Sequence, residues 1–160
     1  MTRVDATIDD LDVRLLGLLA ERPRIGVVEI ARRLAVARGT AQARLDRLQA
    51  RGIVRGFGPD VDPAALGYGV TAFATIEIRQ GRGHDVQQHL AAIPEVLEVH
   101  TITGPGDLLC RVVARSNADL QAIIDRVVDF EGIMRTSTVI ALSTPVSYRT
   151  RPLVKAAVGS

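Results

Sequence analysis

The sequence predicts an α+β fold in two parts, a winged or tri-helical helix-turn-helix followed by a βαββαβ ferredoxin-like domain. Three observations carry this reading. The first 52 residues hold three short apolar runs at helical spacing. A stretch dense in Gly, Pro and Asp follows. From residue 70 onward, β-prone runs alternate with helical ones in the order βαββαβ.

The first helix is announced by Thr7 with Asp10 three residues later, a capping-box-like pair, and by Ile8, Leu11, Leu15, Leu18 and Leu19. Pro23 stops it near Arg22. Val27, Ile30, Ala31 and Leu34 mark a second short helix, with Arg32 and Arg33 pointing elsewhere. After a break at Ala35 to Gly39, a third helix is expected from Thr40 to Arg51, with Ala41, Leu45 and Leu48 on its apolar face and Gly52 ending it. Gln42, Ala43, Asp46 and Arg47 lie opposite, Arg38 and Thr40 stand at its start, and Arg44 sits at the margin. Ala37 offers no side-chain cap, so capping falls to Gly39, Thr40, water or a bound phosphate. Ile53 to Phe57 is β-prone, and Gly58, Pro59, Asp60, Asp62, Pro63, Gly67 and Gly69 make a hinge. The expected domains are therefore residues 1–56, a hinge at 57–69, a second domain at 70–150 and a tail at 151–160.

In the second domain, Thr71 to Ile78 reads as a strand, and Gly83 to Ile93 as a helix bearing Val86, Leu90 and Ile93. Val96 to Thr103 is β-prone, and Gly104-Pro105-Gly106-Asp107 turns tightly into a strand at Leu108 to Ala114. Ser116 with Asp119 caps a helix carrying Leu120, Ile123, Ile124, Val127 and Val128, and Met134 to Ser143 is the last strand. Val96 to Thr101 echoes Ile133 to Thr138, each following a helix, so the two halves look equivalent. Two helices cover one sheet face; the other face includes apolar residues, which predicts self-association.

Composition narrows the function. Apolar residues make up 47% of 160, enough for a core, but aromatics are 3% with no Trp, which weighs against a stacking platform for single-stranded nucleic acid. No run approaches the length of a membrane helix, and Asp5, Asp9, Asp10 and Asp12 stand where a signal peptide would be apolar, so a cytoplasmic location is expected. Cys110, alone, allows no intrachain disulfide or cysteine-based zinc site and reads as a small core residue. His84 and His89, five residues apart, diverge by about 140° on a helix and suit one metal poorly. His100 is the third histidine, and no nucleophile–base pair or paired carboxylates support an enzyme. No cofactor is expected.

Basic charge is concentrated near the third helix, with nine Arg against Glu29 and Asp46 between Arg22 and Arg55. A polyanion partner fits, as does a merely solvated basic surface. On the DNA reading, Gln42 reads adenine, Arg38 or Arg47 reads guanine or holds phosphate, and Thr40 holds phosphate. Arg44 either joins them or lies over the core with its stem buried. In the turn, Gly104 and Gly106 let backbone N–H groups approach a carboxylate, and Asp107 can accept from an α-ammonium; Thr136, Ser137 and Thr138 add hydroxyls. The alternative for Asp107 is a plain hairpin-turn residue bonded only to its own backbone.

With these elements placed, the sequence resembles the Lrp/AsnC (feast/famine) family of bacterial transcription regulators from about Ile8 to about Thr144. The resemblance runs through Ile8-Asp9 and Asp12, Leu15-Leu16, Leu18-Leu19, Arg24-Ile25, Glu29-Ile30-Ala31, Arg44 to Leu48, Gly52 to Phe57 and Asp62 to Gly67. Thr103 to Asp107 and Arg135 to Thr138 continue it. It implies a RAM-type second domain that pairs through its sheets as a dimer, often assembles dimers into octamers and binds an amino acid effector between subunits. It also implies double-stranded DNA as the partner of the first domain. Ala37 replaces the family's common Ser before the recognition helix, and Gly106 an often aromatic position. The competing function is an amino-acid-binding regulatory or adaptor module that acts through protein partners.

Overall fold

The computed structural model describes residues 8–157. The elements are α1 (Asp10–Glu21), α2 (Val27–Leu34), α3 (Arg38–Ala50), β1 (Val70–Ile78), α4 (Gly83–Ala91), β2 (Val96–Thr101), β3 (Leu108–Ala114), α5 (Asn117–Val128), β4 (Ile133–Ala141) and α6 (Arg151–Ala156). The chain divides into two units. One runs through Pro59 and resumes at Val146, and the other is Asp60–Pro145.

In the helical unit, α1 is capped by Asp9. Its carboxylate accepts from the Asp12 N–H at 2.9 Å, and the Asp12 carboxylate accepts from the Asp9 N–H at 3.2 Å. This satisfies two of the donors a helix start leaves open. The expected Thr7 half of a cap lies outside the described residues, and Asp10 is the first helical residue rather than a capping partner. α2 ends on Ala35 in the left-handed region at φ 56, and α3 begins at Arg38 from an extended Ala37 with no side-chain cap. Leu15, Ile30, Leu34, Ala41 and Leu48 are buried together, with Leu45, Ile53 and Val54 packed against them.

The β-prone stretch at Ile53 to Phe57 is not a strand. The N–H groups of Ile53 and Val54 both donate to the Leu48 carbonyl, at 2.9 and 3.1 Å, so they close the end of α3 beyond Gly52 (φ +69) while their side chains enter the core. The segment expected as a tail forms α6 in its described part; α6 packs on α1, Val154 joins the helical core, and Arg151 pairs with Glu21 at 2.7 Å.

The second unit holds a four-stranded sheet in the order β2-β3-β1-β4, with antiparallel neighbours. Alternation along β1 sends Ala72, Ala74 and Ile76 to the helix-covered face, beside Leu108, Cys110 and Val112 of β3. Val86 and Leu90 of α4 and Leu120, Ile123 and Val127 of α5 close this core. The opposite face carries Phe73, Leu109, Arg111, Val113 and Val139, on the side of the sheet away from the core that α4 and α5 close. Ser116 caps α5 by accepting from the Asp119 N–H at 3.1 Å, as its spacing predicts.

Candidate nucleic-acid interface and ligand turn

α3 stands on the helical core through Ala41 and Leu48, which turns Arg38, Gly39, Thr40, Gln42, Ala43 and Asp46 outward. Gln42 Nε2 donates to Asp46 Oδ1 at 2.7 Å. Arg38 and Thr40 are exposed at the start of the helix, where backbone N–H groups and the helix dipole favour an anion.

Arg47, expected at DNA, and Arg44, expected either there or over the core, both pair with acidic residues at the start of α1. Arg47 Nη2 donates to Asp12 Oδ2 at 2.5 Å. Arg44 Nη1 pairs with Asp9 and reaches Asp12 Oδ1 at 3.3 Å. Asp12 is fully buried, so these guanidinium groups supply the partners that water cannot. The hydrogen bond from Arg44 holds the Asp9 carboxyl below the usual carboxylate range, and the same pairing raises Arg44. The two arginines thus brace α3 against α1, and neither spacing nor periodicity could have linked residues 35 apart in sequence. On α2, hydrogen bonds from Arg32 and then Arg33 draw Glu29 down to about 2. Part of the basic charge counted in the sequence is therefore compensated internally.

In the sheet unit, the β2–β3 turn folds against β1. Gly104 and Gly106 have φ of +104 and +94. A Cβ at position 106 would lie 2.5 Å from Thr75 Cγ2 and 3.3 Å from the Ile76 carbonyl oxygen, so the backbone approaches β1 as only glycine allows. The Asp107 N–H donates to the Ile76 carbonyl at 2.9 Å, and Asp107 Oδ2 accepts from the Ile78 N–H at 2.8 Å. One carboxylate oxygen thus accepts from the backbone of β1 rather than from the turn's own backbone.

The three hydroxyls of β4 do not converge. Thr136 and Thr138 pair in register with Ile76 and Ala74 and share their helix-covered face, whereas Ser137 pairs with Thr75 on the open face. Thr136 Oγ1 is buried with no hydrogen-bond partner among the described residues. Gly106, Thr75 and Ser137 therefore lie side by side on the open face, and Thr75 is a neighbour of the turn that the motifs did not single out. Strand alternation carried that signal once the register was known.

Cys110, His84 and His89 make contacts within the sheet unit. Cys110 is buried, which pushes its thiol up to about 11. His89 stacks on Phe130 at 4.7 Å between ring centroids, with Nε2 2.9 Å from the Arg126 carbonyl, and His84 Nε2 meets Gln88 Nε2 at 2.9 Å. Among the described residues no group of three or more His, Cys, Asp or Glu could hold a metal ion. No described helix is long and apolar enough to cross a membrane.

Comparison with known proteins bears on both units. Residues 71–151 match the family described as Lrp/AsnC ligand binding domain, and residues 8–55 match one described as winged helix-turn-helix DNA-binding. The HTH-type transcriptional regulator FL11 of Pyrococcus furiosus is 30% identical over 135 residues, covering 84% of this chain and 89% of the relative. The solved structure of E. coli AsnC superposes with a TM-score of 0.84 at 29% identity, covering 91% of this chain and 99% of that one. A feast or famine regulatory protein from M. tuberculosis, solved with L-methionine, gives 0.78 at 28% identity, covering 89% and 97%.

Proposed function

The chain belongs to the Lrp/AsnC family of transcription regulators, and from that premise we propose that it reads DNA through α3 as a sheet-paired dimer under the control of an amino acid. The observation that carries the reading is the outward face of α3, with Arg38, Thr40 and Gln42 exposed on a three-helix core. Arg38 and Thr40 hold phosphate at the helix start, Gln42 meets a base edge, and Arg44 and Arg47 keep the helix in place.

The open sheet face, with Phe73 and Val139 exposed on it, is the surface through which two copies pair. Dimers built this way carry two reading helices and can assemble further, to the octamer expected from the family resemblance, bending or wrapping DNA in the cytoplasm. The effector is an amino acid held between subunits at the turn of Gly104, Gly106 and Asp107. Thr75 and Ser137 lie beside it on the open face, and Thr136 and Thr138 shape the strand from its other face. A ligand shifts the assembly only by binding one arrangement better than another. The winged helix-turn-helix match over residues 8–55 weighs against the protein-adaptor alternative.

The test is capture of genomic fragments by the full chain, alone and with each of the twenty amino acids. The expected result is a two-fold symmetric site with half-sites about one helical turn, or a multiple, apart, and a changed pattern with at least one amino acid. Capture without sequence preference refutes DNA reading, and a pattern indifferent to every amino acid refutes the effector.

A further inference from the structure

We propose that Asp46 is a base-specifying residue: with Gln42 it forms an acceptor-rich edge on α3 that selects cytosine beside adenine in the major groove. The proposal rests on α3 facing DNA and deepens that reading.

At 100° per residue, positions 39, 43, 46 and 50 run along the line opposite Ala41 and Leu48. Gly39, Ala43 and Ala50 have no reach, so Asp46 carries the only polar side chain on that line. The longest donors on the flank, Arg44 and Arg47, are held by Asp9 and the buried Asp12. Gln42 is tied to Asp46 at 2.7 Å. A carboxylate only accepts, so the Gln42 amide must turn its NH2 toward Asp46, leaving its carbonyl oxygen and second N–H for a base.

The major-groove code then decides the bases. Guanine presents two acceptors and thymine presents O4, so both repel a carboxylate, whereas cytosine N4 and adenine N6 carry donors. Adenine N7 adds an acceptor beside its amino group, which makes cytosine the better match for Asp46. The remaining oxygen and N–H of Gln42 suit adenine N6 and N7 at a neighbouring position. A carboxylate facing a polyanion weakens binding to every sequence, so Asp46 brings discrimination rather than affinity.

The same contact has a plainer use, since Gln–Asp pairs four residues apart stabilise a helix slightly, and the experiment separates the two. Random-sequence duplex DNA is selected with the full wild-type chain and with Asp46→Ala, Asp46→Asn and Gln42→Ala, each first checked by thermal unfolding. Wild type is expected to select cytosine at one half-site position and adenine next to it. Asp46→Ala should lose the cytosine preference by about five-fold or more while binding random DNA more tightly. Asp46→Asn should move that position toward adenine, and Gln42→Ala should relax the adenine position. Unchanged base preferences in both Asp46 variants, or a wild-type guanine where Asp46→Ala relaxes selection, overturn the proposal alone. A wild type that selects no sequence overturns the DNA reading of α3 and this inference with it.

Discussion

Asp12 shows how one buried carboxylate can organise a reading head. It closes the cap of α1 through its contact with the Asp9 N–H and takes ion pairs from Arg44 and Arg47 of α3. Breaking a buried ion pair by removing one partner costs roughly 3 to 5 kcal/mol when the survivor is stranded. Here both arginines keep some access to water, so Asp12→Asn is expected to cost about 2 to 3 kcal/mol, measured by denaturant unfolding of the helical unit. Asp9 adds a pH dependence. Its folded pKa lies below its unfolded one, so its pairing with Arg44 contributes fully above the unfolded value and is lost as pH falls through the folded value. The stability gap between wild type and Asp9→Asn should therefore shrink on acidification from about pH 5 downward. A gap that stays constant would remove the pairing as its cause.

The β2–β3 turn and β1 make one fitted joint, and a double substitution tests the fit. Gly106→Ala meets both the Thr75 methyl and a backbone at φ +94, and is expected to destabilise by about 1 to 3 kcal/mol. Adding Thr75→Ser removes the methyl and should restore part of that loss; no recovery would place the whole cost in the backbone. The turn, like β3 itself, was legible in the sequence because its glycines and the apolar run after it are local signals. Other elements were not. Ile53 and Val54 have β-prone side chains but serve the end of α3, since the Leu48 carbonyl takes their N–H groups and their side chains pack on the helical core. α3 starts at Arg38, ahead of the expected Thr40, because its residues before Ala41 are Arg, Gly and Thr, with no apolar side chain to announce the helix. The hydroxyl run of β4 read as one cluster until pairing with β1 split it between two faces. The ion pairs of Asp12 follow no sequence period, because tertiary packing alone brings α1 and α3 together.

At the scale of the whole molecule, the helical unit is built from both ends of the chain, and the sheet unit is one continuous stretch. α6 was invisible in the sequence because it is short and holds only Leu153 and Val154 as large apolar residues, against a partner helix at the other end of the chain. Ending the chain at Pro145 removes Val154 from the helical core and the 2.7 Å pair between Arg151 and Glu21. The helical unit should then unfold with about 1 to 2 kcal/mol less stability, while the sheet unit keeps its own transition in calorimetry. An unchanged helical transition would show that α6 contributes nothing to its neighbour. The same connectivity changes which unit is completed first: the chain is made from its N-terminus, yet the helical unit gains α6 only after the sheet unit has been synthesised. A message cut short near residue 145 therefore yields a subunit that, on the proposed pairing, still mates with intact copies while carrying a weakened head, so such a truncation is expected to be genetically dominant over the intact gene.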